Sequence, residues 1–455
     1  MRLDTERKTM RGMLAAILAV AMLAVPLAVA STASAATPDV TVRAADLTPH
    51  VIGPVPTDRF GGGELLGVRA GDAVFGVRFG TPEHPNNVMI FAEYKRFLGA
   101  ADIVDAEGRY LGTRGIPVFT VLGQSLDRLI EFQHVNASEA FDLNSLNDTF
   151  GFRAPTSVNL PMKGLPLVAG WTLGEVTNET VGATTYVNFT VSASDLHYRW
   201  VRNGTEAGDG LLNSVAFTFH LRVDTVERRG QIPWYKVTVT EGTPREVTHV
   251  EFLYWKQVSG PADVMAAKYD HSIVGWDFAN ATDKLALETR LVFGNYFPDR
   301  TVDFVHLAYF HDHADDGNRT VASNDTGPTR PAFYTKDRIY FDDNWTRVGR
   351  FEWVSDVTVD GVAQRMTFEV QDAARFAYWS ADHGAFTGFA VRGAFVYPAG
   401  QSIFHDPAMS AEMFVPNLST GFNLTPLSIL LVQAAVVGVA IIPALYLRSK
   451  ARRPN

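Results

Sequence analysis

The 455-residue chain contains no cysteine. Disulfides and thiolate metal sites are therefore excluded, and whatever folds here is held together by its core. Local catalytic motifs are missing too. There is no G-x-S-x-G nucleophile elbow, no H-E-x-x-H zinc pair and no phosphate-cradling glycine loop. Gly61-Gly62-Gly63 reads instead as a relaxed turn. Long amphipathic helical patterns are scarce. One stretch lacks charge altogether: residues 427–447, LSILLVQAAVVGVAIIPALYL. As a helix these 21 residues would run about 31 Å, enough to cross a bilayer core of about 30 Å.

That stretch organises the reading of both ends. Arg448, Lys450, Arg452 and Arg453 come directly after it, and basic flanks stay in the cytoplasm, which puts the preceding chain outside and residues 448–455 inside. At the other end, Arg2, Arg7, Lys8 and Arg11 precede an apolar run over residues 13–30, and Ala33-Ser34-Ala35 supplies a small-residue cleavage pattern. Residues 1–35 read as a secretory signal, with an uncleaved anchor as the alternative. Either one places residues 36–426 on the outer side of the plasma membrane.

The net charge is −9, and removing the two basic ends leaves about −15 for the part between them. Such an acidic surface argues against nucleic acid as a partner. Sequons are abundant: Asn136, Asn147, Asn178, Asn188, Asn203, Asn280, Asn318, Asn324, Asn344, Asn417 and Asn423 account for 11 of 18 asparagines. Chance would give about two, so the chain reads as an extracellular glycoprotein.

Between the ends the sequence predicts strand after strand, with turn signals every eight to twelve residues, which favours an all-β fold of two or three sandwich-like domains plus one C-terminal transmembrane helix. Residues 64–69 and 73–79 flank a hairpin turn, and residues 101–104 and 110–112 flank Asp105-Ala106-Glu107-Gly108-Arg109. Residues 116–122 read as a buried strand, and 126–132 as strand or short helix. Period-two alternation marks residues 184–191, 214–223, 234–240 and 247–255. Asp360-Gly361 between alternating runs is a strong hairpin signal. Residues 155–166 read as a linker, Ser259-Gly260-Pro261 as a break, residues 262–268 as a helix, and Asp406-Pro407 as a helix start. The expected units are a β domain at 36–165, sandwich domains at 166–260 and 261–415, and a tether at 416–426. Gly170-Trp171 and Gly275-Trp276, 105 residues apart, hint at a duplication.

One cluster suggests a metal. His311 and His313 at spacing two share a strand face and suit zinc or copper, while Asp312, Asp315, Asp316 and Asn318 offer oxygen ligands for calcium. The EF-hand pattern fails, because Ala314 and Ser323 stand where carboxylates belong. A solvated loop with two sequons is the plainer alternative. Asp270-His271, Asp382-His383 and His405-Asp406 each set an imidazole beside a carboxylate, the combination that orients a base. The expected role is binding, adhesion or envelope structure, with an extracellular protein or glycan as ligand. The alternative is a membrane-tethered enzyme, metal-assisted or carbohydrate-active, in which several of His271, His306, His311, His313, His383 and His405 converge with carboxylates.

Overall fold

The computed structural model describes residues 50–56, 62–70, 73–134, 141, 143, 159–198, 200–201, 210–240, 247–297, 334–335, 338–342, 347–380 and 384–412. The signal, tether, transmembrane and tail segments lie outside these residues, as do the 311–318 cluster, His306, His383 and Trp345. So do the sequons at Asn136, Asn147, Asn203, Asn318, Asn324, Asn344, Asn417 and Asn423.

Among the described residues the named elements are all strands. In chain order these are β1 (His50–Pro56), β2 (Glu64–Ala70), β3 (Ala73–Phe79), β4 (Val88–Val104), β5 (Tyr110–His134), β6 (Asn159–Pro166), β7 (Thr172–Leu173) and β8 (Thr177–Val181). Next come β9 (Thr184–His197), β10 (Trp200–Val201), β11 (Leu211–Val239), β12 (Val247–Val274), β13 (Lys284–Phe297), β14 (Tyr334–Thr335) and β15 (Arg338–Asp342). The last are β16 (Arg347–Glu352), β17 (Asp356–Val359), β18 (Val362–Arg365), β19 (Thr367–Ser380), β20 (Gly384–Pro398), β21 (Ser402–His405) and β22 (Ala408–Glu412). Among the described residues no helix is long and apolar enough to cross a membrane.

The strands form two facing layers. One runs β1-β2-β3-β4-β5-β13-β20-β19, antiparallel throughout. The other runs β8-β9-β11-β12, after which β12 pairs with both β21 and β22. Beyond them, β21 leads to the β17–β18 hairpin and β22 to β16 and β15. A single apolar cluster fills the space between the layers, as alternation demands. It takes Leu66, Phe75, Ile90 and Leu122 from the first layer and Phe189, Phe217, Phe219 and Tyr269 from the second. The segments 36–165, 166–260 and 261–415 all contribute to it, and β12 passes residue 260 without interruption.

Several turns agree with the sequence. Ala70 pairs with Ala73, and Val104 with Tyr110. Asp105 Oδ1 accepts from the amides of Glu107 and Arg109, which closes that turn. Asp360 and Gly361 take φ of +51° and +80°, the positive values that a two-residue hairpin turn requires.

Other expectations are overturned. The end of the expected linker at 155–166 is strand β6, hydrogen-bonded along β5. Ser259-Gly260-Pro261 does not break the chain: Arg229, Arg228 and Glu227 of β11 pair with it in register. Residues 262–268 are strand, not helix, because β11 and β22 occupy their two sides. Asp406-Pro407 links two strands instead of starting a helix. Residues 116–122 and 126–132 belong to one strand, β5, divided by a bulge at Asp127, since Leu126 and Arg128 pair with Thr289 and Glu288. The extra residue flips the inward face, so the periodicity reads as two elements.

Two hairpins extend past the core. β11 and β12 remain paired from Val223–Met265 to Val239–Val247, and β4 joins them in parallel, with Ala100 beside Trp234 and Val104 beside Thr238. The β4–β5 turn therefore points the same way as the β11–β12 turn.

Candidate functional site

Of the six histidines offered for an active site, the described residues include His271 and His405, and the fold brings these two together. They are register partners on β12 and β21, with ring centroids 5.5 Å apart, both buried. Phe217, Tyr269 and Phe395 pack around His271. The Tyr397 hydroxyl of β20 lies 2.8 Å from His271 Nδ1 and 3.1 Å from His405 Nδ1, and thus joins the two layers.

The hydrogen bonds assign the protons. His405 Nε2 lies 2.8 Å from the Val354 carbonyl, which can only accept, so Nε2 carries the proton. In a neutral ring His405 Nδ1 then accepts from the Tyr397 hydroxyl. Tyr397 in turn accepts from His271 Nδ1–H, which leaves His271 Nε2 as a bare acceptor. That atom is buried and has no hydrogen-bond partner among the described residues. Both rings are held neutral: burial pushes His405 down to about 4, and burial with the nearby His405 pushes His271 well below its ordinary value.

The neighbouring carboxylates are not part of this cluster. Successive side chains of a strand point to opposite faces. Asp270 therefore meets His220 Nε2 at 3.2 Å, and Asp406 meets Lys268 Nζ at 2.8 Å, away from the imidazoles beside them in sequence. The expected carboxylate-oriented bases at His271 and His405 do not form. Among the described residues no group of three or more His, Asp or Glu side chains is placed to hold a metal ion.

Two buried carboxylates carry no signal in the sequence. Glu131 accepts from Trp276 Nε1 at 2.9 Å and from the Ala279 amide at 2.7 Å, with Lys163 Nζ 3.8 Å away. Burial outweighs these contacts and raises it to about 7. Trp276 reaches it because Gly275 takes φ +83°, where a Cβ would also strike the Asn213 side chain. Glu288 is bound by Arg392 and Arg128. Burial alone would raise it, but Arg128, Arg392 and Arg290 together hold it at about 2. Neither is legible from its neighbours in the chain, since each partner is remote in sequence: Trp276 and Ala279 come from the connection after β12, and the others from distant strands.

The surface carries different chemistry. Asn178 and Asn280 are exposed, and Asn188 is half-buried on the outward face of β9 between buried Val187 and Phe189. Asn188 Oδ1 lies 2.9 Å from His220 Nδ1. On the extended part of β12 four consecutive apolar side chains face solvent: Phe252, Leu253, Tyr254 and Trp255, at 49%, 39%, 49% and 45% exposure. Tyr254 stacks parallel on Trp234 of β11, and Lys256 Nζ sits 4.1 Å over the Trp234 ring. No family model and no curated protein matches this chain.

Proposed function

We propose that this chain is a single-pass cell-surface glycoprotein. Residues 1–35 direct export, residues 427–447 anchor the chain as a transmembrane helix, and residues 448–455 remain in the cytoplasm. The sandwich-like ectodomain acts in binding, adhesion or envelope structure, toward an extracellular protein or glycan and not nucleic acid. One observation carries the reading: the buried histidine pair and the buried Glu288 cluster both serve to link strands. The His271–Tyr397–His405 chain spans the two layers, and Glu288 ties β13 to β5 and β20. Beside its charged groups the surface presents aromatic side chains and sequon asparagines, equipment for contact and for glycans. Residues 51–135 hold no sequon, which leaves their surface open to a partner.

The test is expression of the full chain in a host that glycosylates asparagine, then alkaline extraction of its membranes and mass analysis of the peptides. The reading expects retention in the membrane and glycans on Asn178 and Asn280. Release by alkali together with unmodified asparagines would overturn it.

A further inference from the structure

We propose that the extended β11–β12 hairpin rests on the outer leaflet of the bilayer, with Phe252, Leu253, Tyr254 and Trp255 seated among the lipid headgroups. The inference rests on the membrane anchor proposed above, and topology carries it.

β22 is antiparallel to β12, with Lys268 beside Ala408 and Val264 beside Glu412. The chain therefore leaves the described fold at Glu412 heading toward low-numbered residues of β12, which is toward the hairpin turn. The β4–β5 turn points the same way. Both turns and the exit toward the anchor thus share one end of the molecule.

Lengths decide what happens there. From Val264, Trp255 lies about 30 Å along the strand and Val247 about 55 Å, at about 3.3 Å per residue. Fourteen residues, 413–426, separate Glu412 from the apolar span and reach at most about 50 Å fully stretched. Even fully stretched, the tether falls short of the hairpin's far end, and a tether at about half that extension brings the bilayer to the level of Trp255.

The hairpin is built for that neighbour. Among the described residues six aromatic side chains are exposed, and four of them, Tyr110, Phe252, Tyr254 and Trp255, lie at this end. Trp and Tyr favour the membrane–water boundary because a flat apolar ring sits in the acyl region while its polar edge stays wet. Lys256, whose Nζ lies over the Trp234 ring, sets a positive charge beside the exposed aromatics at the level of the headgroups. Residues 228–257 hold five basic and three acidic side chains in an otherwise strongly acidic ectodomain, which suits anionic lipid. No sequon occurs from residue 204 to 279, so no glycan would stand between the hairpin and the surface. Among the described residues the outer part of β12 pairs with β11 alone, and headgroup depth keeps its open backbone edge hydrated.

The transmembrane stretch contains no tryptophan, so quenching of tryptophan by lipid reports on the ectodomain. The full chain is reconstituted into vesicles of phosphatidylcholine and phosphatidylglycerol, with and without bromine on the upper acyl carbons. Bromine-dependent quenching is expected in the native chain and should be largely lost in Trp255→Phe, with an unchanged melting temperature to show that this variant is folded. Retention through alkaline extraction with no quenching, or with equal quenching in both proteins, would overturn the inference and leave the anchor standing. Release by alkali would remove the anchor and the inference with it. A dimer in detergent broken by Trp255→Ser, without lipid quenching, would assign the surface to a second copy and overturn the proposal.

Discussion

Arg392 donates from Nε to Glu288 Oε1 at 2.5 Å, across neighbouring strands whose own register places Glu288 opposite Ala394. The contact is diagonal, and it leaves the second carboxylate oxygen for Arg128 of β5 on the far side. One acid thereby joins three strands.

Glu288→Gln removes the charge and leaves two guanidinium groups in a buried setting, at an expected cost of about 3–5 kcal/mol at pH 7. The native pKa of about 2 lies below the ordinary value of 4.5, so this stabilisation is complete above pH 4.5 and fades as pH falls through 2. Urea melts of the two proteins should differ most at neutral pH and converge in acid. An equal gap at pH 3 and pH 7 would show that charge is not the cause.

Glu93 behaves in the opposite sense. It is buried beside Val74 and Val121, and its Oε2 has no hydrogen-bond partner among the described residues. Burial raises it to about 8. Between pH 4.5 and 8 the unfolded chain gives up this proton before the folded one does, so stability declines as pH rises through that window and then levels off. Glu93→Gln should match the native protein at pH 4 and exceed it at pH 9 by up to a few kcal/mol, on the order of the pKa difference. Thermal melts across pH would reveal a flat difference if the prediction is wrong.

The paired imidazoles predict acid sensitivity. Both titrate below the ordinary value of 6.5, so the benefit of keeping them neutral is full above that pH and is lost as pH falls toward 4. Each histidine contributes a slope of up to about 1.4 kcal/mol per pH unit in this range. His405→Gln keeps an acceptor for Tyr397 and a donor for Val354, and should remove one proton's share of the slope while costing about 1 kcal/mol or less at pH 8. Tyr397→Phe strands a donor on His271 and an acceptor on His405, and should cost about 1–3 kcal/mol at every pH above 6.5. Chemical denaturation of both variants between pH 4 and 8 separates these effects.

How far the sequence reveals this molecule depends on how local the deciding interaction is. The turns at Asp105 and Asp360-Gly361 are legible because one side chain or one positive φ determines each of them. Alternation at 184–191 and 214–223 names the inward faces of β9 and β11 correctly. The alanines of residues 262–268 suggest helix, yet hydrogen bonding from strands on both sides outweighs so weak a propensity. Pro261 reads as a break, but it sits where β12 has a single neighbour among the described residues, a position at which a missing N–H is tolerated. The His271–His405 contact joins residues 134 positions apart through strand pairing, and no spacing rule reaches that far.

The placing of β22 has a mechanical consequence. This last described strand lies between β12 and β16 and is antiparallel to both. Ladder bonds run across the strands, so a pull on the chain beyond Glu412, along the strand axis, loads the bonds on both sides in shear. They must fail together and cannot peel one at a time. Were the chain anchored as proposed, tension between a ligand and the membrane would therefore enter the fold at a strand arranged to resist it.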